Sequence, residues 1–439
     1  MTTTNAPTRK IPRTTLFLYG APTVGLGYLL FFLQFYFLKF ATDVLLLAPA
    51  AVGLVMAVTK LWDAVSDPLV GSWSDRTRST MGRRRPWMLA ALPILLISFV
   101  ALWYPPRALG EGGILVAALF ALILFYTAFT LYSVPHGSLG AELSSDSGER
   151  TRAFALRQAS WTIGLFFAFG AIQAARNFED PRTETGALAL VTGVLAVVLL
   201  AVTPLTVREP VSHQGRGGSS LRGAWRDVLD SRNARILLLV WFIENLGVGV
   251  LGSIAPFVAE YVLRRPDLIG VLPGVYVLAG IASLPLWVAA ARRFGKYATW
   301  LAAMIAGGFG FGITFFVGPG QEGVMALALA IAGAGMGCGG ALSSAVLADV
   351  IDADEERTGE RKEGTYTAAL NFALKAGIAL SSGGTGIVLG MVGFVPNAEQ
   401  SPQTLLALRI LFAGLPTVGF ALGALAFSRF DLPRSRQPG

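Results

Sequence analysis

Charged residues and cysteine are both scarce in this chain of 439 residues. Asp, Glu, Lys and Arg make up 14% of it, whereas an ordinary soluble domain has about 25% charged residues. Hydrophobic residues make up 54%. A soluble protein of this composition would expose large apolar patches and aggregate. The composition therefore argues against a soluble enzyme, a nucleic-acid-binding protein and a disordered scaffold, and it predicts a membrane protein.

The one cysteine, Cys338, lies in an apolar run of small residues, where we interpret it as a packing residue. A single thiol excludes an intramolecular disulfide framework. The loops show neither a nucleophile–base pair nor a cluster of metal ligands, so we expect no enzyme activity and no cofactor. The net charge of +8 comes from basic residues that lie between apolar runs. That distribution indicates cytoplasmic loops rather than a surface that binds nucleic acid.

Twelve stretches have close to the 20 or so mostly apolar residues that a helix needs to cross a bilayer. They predict an all-α polytopic membrane protein of two six-helix bundles, an architecture typical of secondary transporters. The predicted spans lie near 15–40, 48–72, 87–104, 113–139, 154–175, 186–206, 235–262, 268–291, 297–318, 323–350, 365–392 and 403–428. The predicted segments are a tail (1–14), a bundle (15–206), a linker (207–234), a bundle (235–428) and a tail (429–439).

The distribution of basic residues predicts the orientation of the chain. With both termini in the cytoplasm, the cytoplasmic loops and termini carry about five times as many Lys and Arg residues as the outer loops, as the positive-inside rule requires. Arg strongly outnumbers Lys, which is typical of a GC-rich bacterial genome. We therefore expect a bacterial inner membrane.

Two carboxylates lie four residues apart in the second predicted span. Asp63 and Asp67 share one helical face with Ser66. A charge at membrane depth costs at least about 2.5–3.5 kcal/mol, so each carboxylate needs a partner or a function. Hard oxygen atoms suit Na⁺, and two neighbouring carboxylates can also share protons. The alternative is a structural pair between Asp63 and Lys60, one turn earlier.

Other polar residues inside predicted spans are candidates for substrate binding. Arg157 lies one turn before Trp161, and a guanidinium beside an indole suits a sugar, a carboxylate or a phosphate. The alternative is an arginine that reaches the membrane interface. Glu244 contacts a substrate or a proton, or else forms a hydrogen bond between helices. Lys375 pairs with the acids of the second span or faces a cavity.

Three blocks of sequence resemble the glycoside–pentoside–hexuronide:cation symporters of the major facilitator superfamily. The resemblance extends from about residue 19 to residue 430, and the blocks occur in the family's order. They are WDAVSDP at 62–68 with DRTR at 75–78 and GRRRPW at 82–87, ADVID at 348–352 with the polar residues up to Gly364, and MVGFVPN at 391–397 with EQS at 399–401.

This resemblance implies a carrier of two bundles that works by alternating access. It makes Lys375 the group that neutralises the acid pair in the empty carrier, and it aligns Arg157 with an arginine that contacts the sugar. The implied cation site consists of Asp63, Ser66, Asp67 and Thr130. The basic loop after the second span resembles the superfamily's gate motif, in which charge pairs hold the cytoplasmic side shut. Its residues here are Asp75, Arg76, Arg83 and Arg84.

The chain departs from the family at the sugar site. Gly27 and Ser133 stand where the family has aspartates, and Gly137 stands where it has a tryptophan. We therefore expect a substrate other than melibiose. The substrate-binding candidates are Arg157, Lys375, Ser133, Trp161 and Glu244.

The sequence thus predicts a Na⁺- or H⁺-coupled symporter of a glycoside or related small solute. We expect it to function as a monomer in contact with membrane lipid, with the solute and the coupling cation as its ligands. The alternatives are a carrier of an amphipathic solute such as a lysophospholipid and a membrane sensor that no longer transports.

Overall fold

The computed structural model describes residues 10–144, 146–209, 231–358 and 363–430. Within these ranges the regular structure is helical, and no strand is present. Each of the twelve predicted spans coincides with a helical segment. These segments are α1 (Arg13–Val44), α2 (Pro49–Arg76), α3 (Arg85–Trp103), α4 (Glu111–Glu142), α5 (Ser147–Ala175), α6 (Pro181–Thr206), α7 (Arg232–Val262), α8 (Pro266–Phe294), α9 (Lys296–Thr314), α10 (Glu322–Thr358), α11 (Glu363–Met391) and α12 (Pro402–Phe427).

Eleven of these segments are long and apolar enough to cross a membrane. The described segment outside this group is α5. Its first three turns carry charged residues, and Gln158 and Gln173 lie further along it. The most polar of the predicted spans is therefore also the one that carries Arg157.

Proline interrupts the helix of α1 but not that of α2. In α1, a helix over Arg13–Gly20 is followed by Ala21 and Pro22, and a second helix runs over Thr23–Lys39. Proline has no N–H to donate, and its ring crowds the preceding turn. In α2, by contrast, the helix continues through Pro68, so the face that carries the two carboxylates is regular.

The end of α10 differs from the prediction. The helix continues beyond residue 350 to Thr358, so Asp352 and Glu355 of the second sequence block lie on a helix rather than in a loop. Residues 359–362 of that block lie outside the described residues, as do residues 1–9, 210–230 and 431–439 of the predicted tails and linker.

The chain packs into two compact units. The first contains α1 up to Phe40, α2 from Val58, and α3 to α6; the second contains Ala41–Ala57 and α7 to α12. In the first unit α1 packs against α5 and α6, and α3 packs against α4 and α6. In the second unit α7 packs against α11 and α12, and α9 packs against α10 and α12. These pairs correspond helix for helix, which is the pattern of an internal repeat of six helices.

Small residues let the paired helices approach each other closely. A Cβ atom on Gly27 of α1 would lie 2.5 Å from the carbonyl oxygen of Trp161 in α5. In the second unit, a Cβ atom on Gly377 of α11 would lie 2.7 Å from the carbonyl oxygen of Phe242 in α7. Such backbone contacts are typical of helix packing in membranes, where van der Waals contact drives association.

Candidate functional site

The four predicted cation-site residues meet where α2 faces α4 in the first unit. The hydroxyl oxygen of Thr130 lies 3.0 Å from Oδ1 of Asp67 and 3.3 Å from Oδ1 of Asp63. The hydroxyl of Ser66 lies 3.3 Å from the hydroxyl of Thr130. Next to this cluster, the indole N–H of Trp62 donates a hydrogen bond to the Thr127 hydroxyl at 2.8 Å, which is a further contact between α2 and α4. Oxygen atoms from two helices thus form one cluster.

The cluster lies away from solvent. Asp63, Ser66 and Thr130 are buried, and Asp67 is half-buried. The three residues of α2 share a face because they are three and four positions apart on a regular helix. A single hydroxyl proton on Thr130 can be donated to only one carboxylate at a time. The Thr130 hydroxyl therefore donates to one carboxylate while it lies within 3.3 Å of both.

Lys60 partly balances the two carboxylates. Its ammonium lies 4.2 Å from the centre of the Tyr126 ring and interacts electrostatically with both Asp63 and Asp67. A cation over an aromatic face gains electrostatic stabilisation where water is excluded. Of the three charged residues on this stretch of α2, one is basic and two are acidic, so Lys60, Asp63 and Asp67 together carry one excess negative charge when both acids are ionised. A bound cation or proton removes that excess.

The substrate candidates of the first unit lie on α4 and α5. Arg157 is half-buried, its guanidinium lies beside the phenol of Tyr19, and the ring of Phe154 is 6.0 Å away. Trp161 is half-buried one turn further along α5, and its ring contacts Phe31 and Phe129 edge to face. Ser133 is half-buried on α4, one turn from Thr130.

The two glycines at departures from the family have different surroundings. Gly27 has backbone against it, as described above, so a carboxylate does not fit there without separating α1 from α5. Gly137 is open: a Cβ atom would lie 3.4 Å from Nη1 of Arg157, with no other atom within 4 Å. The sequence alone could not distinguish these two positions, because both are simply glycine.

The other two substrate candidates lie in the second unit. The Glu244 carboxylate of α7 accepts a hydrogen bond from the indole N–H of Trp300 in α9 at 3.0 Å, which is the helix-to-helix bond weighed as the alternative. Lys375 is half-buried on α11. Its pairing with the acids of α2 stays a prediction, and so does a substrate role for Glu244.

Comparison with known proteins decides the family. The sequence model of the family described as MFS/sugar transport protein matches residues 18–434. The chain belongs to this family. It is 27% identical to an uncharacterized symporter, YjmB, of Bacillus subtilis (strain 168), over 92% of this chain and 89% of that protein. It is 26% identical to the isoprimeverose transporter of Lactiplantibacillus pentosus, over 89% of this chain and 83% of that protein.

The fold of this MFS/sugar transport protein is that of solved transporters. The inward-open xylose transporter XylE from E. coli superimposes with a TM-score of 0.68 at 14% identity, over 96% of this chain and 97% of that one. The likeness confirms the predicted twelve-helix, two-bundle fold of the major facilitator superfamily. The family match and the eleven helices that are long and apolar enough to cross a membrane make this chain an integral membrane protein.

The predicted gate residues of this MFS/sugar transport protein form ion pairs inside the first unit. Arg84 pairs with Asp75 at 3.1 Å and with Glu142 of α4 at 2.6 Å, and Arg83 pairs with Glu142 at 2.6 Å. Arg84 is buried, whereas Asp75 is half exposed. Arg76 is exposed at the end of α2. The structure thus brings three of the four predicted residues together.

Two acidic residues of this region were missed by the sequence analysis. One is Glu142, and the other is Glu209, which follows α6. The Glu209 carboxylate accepts hydrogen bonds from three successive backbone N–H groups, at 2.9, 2.7 and 3.0 Å, at the start of α3. An acid at a helix N-terminus satisfies N–H groups that have no partner within the helix. In the sequence, the only sign of this role for Glu209 is its position just after the sixth predicted span, and that sign is weak.

The third sequence block has a structural role in the second unit. Asn397 has a left-handed backbone, with φ of 55°, which asparagine tolerates better than most residues. Its amide donates to the carbonyl oxygen of Asp43 at 2.8 Å, and its backbone N–H donates to the Tyr261 hydroxyl at 3.1 Å. The Tyr261 hydroxyl in turn donates to the Asp43 carboxylate at 2.8 Å. The block therefore closes a hydrogen-bonded network around the end of α1.

Proposed function

We propose that this protein is a cation-coupled symporter of a glycoside or a related small polar solute. The observation that carries the proposal is the position of the Thr130 hydroxyl between Asp63 and Asp67. Two neighbouring carboxylates, one buried and one half-buried, repel each other and favour the binding of a positive charge beside them. Transport by alternating access then follows from the family's two-bundle fold.

Na⁺ fits the cluster better than a proton. The hydroxyls of Ser66 and Thr130 lie within 3.3 Å of each other and add neutral oxygen atoms to the carboxylates. Hard cations prefer several oxygen ligands, whereas a shared proton needs only the two acids. We therefore propose Na⁺ as the coupling ion, with Asp63, Ser66, Asp67 and Thr130 as its ligands.

The relatives favour a small polar solute over the lysophospholipid. The isoprimeverose transporter is named for a sugar, and YjmB is named as a symporter. The buried acid pair argues against a sensor that no longer transports, because such a sensor would not need to retain two charges at membrane depth. We place the protein in a bacterial inner membrane with both termini in the cytoplasm, and we propose that it works as a monomer.

Coupling requires that cation and solute stabilise each other's binding. Since the coupling free energy between two ligands is reciprocal, a cation that raises solute affinity must itself bind more tightly when the solute is present. A cation that neutralises the excess negative charge on α2 can change the affinity for the solute in this way if the solute binds nearby, at α4 and α5. Arg157, Trp161 and Ser133 are the residues of the first unit that we propose to contact it.

Uptake into proteoliposomes tests this function. A panel of labelled glycosides and lysophospholipids is assayed with and without Na⁺, and at several values of pH, for the wild type and Asp63→Asn. We expect Na⁺ to stimulate uptake of a glycoside, and we expect Asp63→Asn to weaken the cation affinity at least tenfold, about 1.4 kcal/mol. Stimulation that persists unchanged in Asp63→Asn would remove the acid pair from the mechanism.

A control separates the cation site from a structural pair. If Asp63 serves only to balance Lys60, the double change Asp63→Asn with Lys60→Met restores charge balance and should restore Na⁺-driven uptake. We expect no rescue. Ser66→Ala removes one neutral ligand and should have a smaller effect than Asp63→Asn.

A further inference from the structure

An apolar groove lies between α9 and α12 in the second unit. Its volume is about 450 Å³, and sites that bind small ligands commonly measure about 300–1,000 Å³. Gly308 and Gly312 of α9 line the groove without a side chain, which leaves space between the two helices. Thr417 of α12 is the polar side chain among the described residues that line it, and its hydroxyl donates to the Ala413 carbonyl oxygen at 2.7 Å. The groove therefore suits an apolar ligand.

The groove opens toward the membrane. Its lining side chains Ile305, Phe309 and Phe316 are 61%, 65% and 81% exposed, and α9 and α12 are both long and apolar enough to cross a bilayer. Along α9 the lining extends from Met304 to Phe316, which at helical rise is a length of about 18 Å. One leaflet contributes about half of the 30 Å hydrocarbon core. The groove is thus about as long as one acyl chain of one leaflet.

An arginine lies at the Phe316 end of the groove. Nη1 of Arg409, on α12, donates to the carbonyl oxygens of Phe315 and Val317 at 2.6 and 2.7 Å, and these two residues flank Phe316. Within the described ranges, no acid forms an ion pair with Arg409, and its Nε and Nη2 have no hydrogen-bond partner. The two carbonyl groups hold the guanidinium in place without neutralising its charge.

A fixed positive charge at the end of an apolar groove complements an anionic phospholipid. A guanidinium can donate two parallel hydrogen bonds to a phosphate, and Nε with Nη2 provides the required pair of donors. In the orientation proposed above, Arg409 lies at the outer end of α12, so the lipid belongs to the outer leaflet. A second copy of the chain complements the groove less well, because a two-fold axis along the membrane normal would bring two Arg409 residues together at the same depth.

We propose that the groove between α9 and α12 binds one anionic phospholipid, with an acyl chain along Gly308 and Gly312 and the phosphate on Arg409. This lipid site lies entirely within the second unit, whereas the proposed cation site lies in the first. It goes beyond the symport function proposed above and does not depend on it.

Lipid binding to the purified, delipidated full-length protein tests the site. Native mass spectrometry compares the affinity for phosphatidylglycerol, which carries one net negative charge, with that for phosphatidylcholine of the same acyl chains, which has none. One basic residue near the membrane surface favours an anionic lipid by about fivefold, so we expect the first phosphatidylglycerol to bind about fivefold more tightly or better. Equal affinities for the two lipids would overturn the proposal.

A series of arginine variants tests whether the phosphate binds at Arg409. Arg409→Gln keeps a side chain that can donate to the carbonyl groups but removes the charge, and it should lose the preference for phosphatidylglycerol. Arg409→Lys keeps the charge and should retain part of the preference. Arg265→Gln is the matched control, because Arg265 belongs to the same unit and already pairs with Asp267 and Glu322. An unchanged preference in Arg409→Gln, or an equal loss in Arg265→Gln, would show that Arg409 does not hold the lipid.

Filling the groove tests the position of the acyl chain. A Cβ atom on Gly312 would lie 3.7 Å from the Thr417 side chain, so Gly312→Leu fits at its base and extends into the groove. Gly170→Leu adds the same side chain to α5, where nothing lies within 4 Å of the Cβ position. We expect Gly312→Leu, but not Gly170→Leu, to weaken the binding of both lipids severalfold, and melting temperatures in detergent verify that both variants fold.

Two results with these leucine variants would contradict the lipid site. Equal binding of phosphatidylglycerol by Gly312→Leu and Gly170→Leu would mean that the acyl chain lies elsewhere. A wild-type dimer that Gly312→Leu converts to a monomer would assign the groove to contact between copies of the chain, and the lipid proposal would be wrong.

Discussion

Gly27 lacks a side chain because two helices meet there. Its Cβ position is 2.5 Å from the Trp161 carbonyl oxygen, and the Cβ position of Gly164 on α5 is 2.2 Å from the Val24 carbonyl oxygen of α1. Backbone atoms cannot rotate out of the way as the end of a flexible side chain can. The contact between α1 and α5 therefore depends on glycine in both helices.

Gly27→Ala should destabilise the protein. Overpacking of a tight contact costs about 1–3 kcal/mol, so we expect a lower melting temperature of the purified protein in detergent. Gly170→Ala is the control, because Gly170 lies on the same helix as Gly164 and has no atom within 4 Å of its Cβ position. Equal melting temperatures for the two variants would contradict the packing argument.

Thr130 links the two carboxylates, and its hydroxyl can be removed with little change of shape. Thr130→Val keeps the volume but loses the oxygen atom that lies within 3.3 Å of both acids. Hydrogen bonds to charged groups contribute about 1.5–3 kcal/mol, so we expect Na⁺ affinity to fall roughly tenfold. Thr130→Ser keeps the hydroxyl and should bind Na⁺ nearly as the wild type does. Equal Na⁺ affinities of the Thr130→Val and Thr130→Ser variants would exclude Thr130 as a ligand.

At the scale of elements, the start of α3 is held from two directions. Glu209 accepts from its first backbone N–H groups, and Glu142 of α4 pairs with Arg83 and Arg84. Gly82, just before them, has φ of 98° and lies against the Glu209 carboxylate, so this turn requires glycine. The loop between α2 and α3 is thus fixed by residues far away in the chain.

Asp75→Ala should slow turnover without unfolding the protein. Arg84 keeps its 2.6 Å pair with Glu142 when Asp75 is removed, so no buried charge is left unpaired. We expect a severalfold lower rate of solute exchange and an unchanged Na⁺ affinity. Glu142→Ala provides the contrast, since it removes the acid that pairs with Arg83 and leaves the buried Arg84 with only the half-exposed Asp75, so it should lower the melting temperature. If Asp75→Ala exchanges solute at the rate of the wild type, the basic loop acts only to orient the chain in the membrane.

The sequence predicts features that depend on neighbouring residues and misses those that depend on distant ones. The shared face of Asp63, Ser66 and Asp67 follows from helical spacing alone, and the structure brings these residues together. Thr130 entered only through the family resemblance, because 63 to 67 positions separate it from its partners. Glu209 contacts a helix more than 120 positions away in the chain. No local pattern contains that information.

At the scale of the whole molecule, the orientation in the membrane remains a prediction that labelling can test. Cys338 is buried and is the only cysteine in the sequence, so Cys338→Ala gives a background without thiols. Glu179→Cys, before α6, should react with an impermeant maleimide in intact cells. Arg78→Cys, in the loop between α2 and α3, should react only after the cells are opened. Labelling of Arg78→Cys in intact cells would reverse the orientation.

The backbone contact between α1 and α5 also limits how this carrier can evolve. One nucleotide exchange can convert a glycine codon to one for aspartate, so random mutation offers acidic side chains at positions 27 and 137 alike. An aspartate at position 27 would disrupt the packing of α1 against α5, so the variant would be selected against before it could improve substrate recognition. At position 137 the same exchange falls into open space beside Arg157. A descendant of this chain that gains a carboxylate at one of these two positions should therefore gain it on α4.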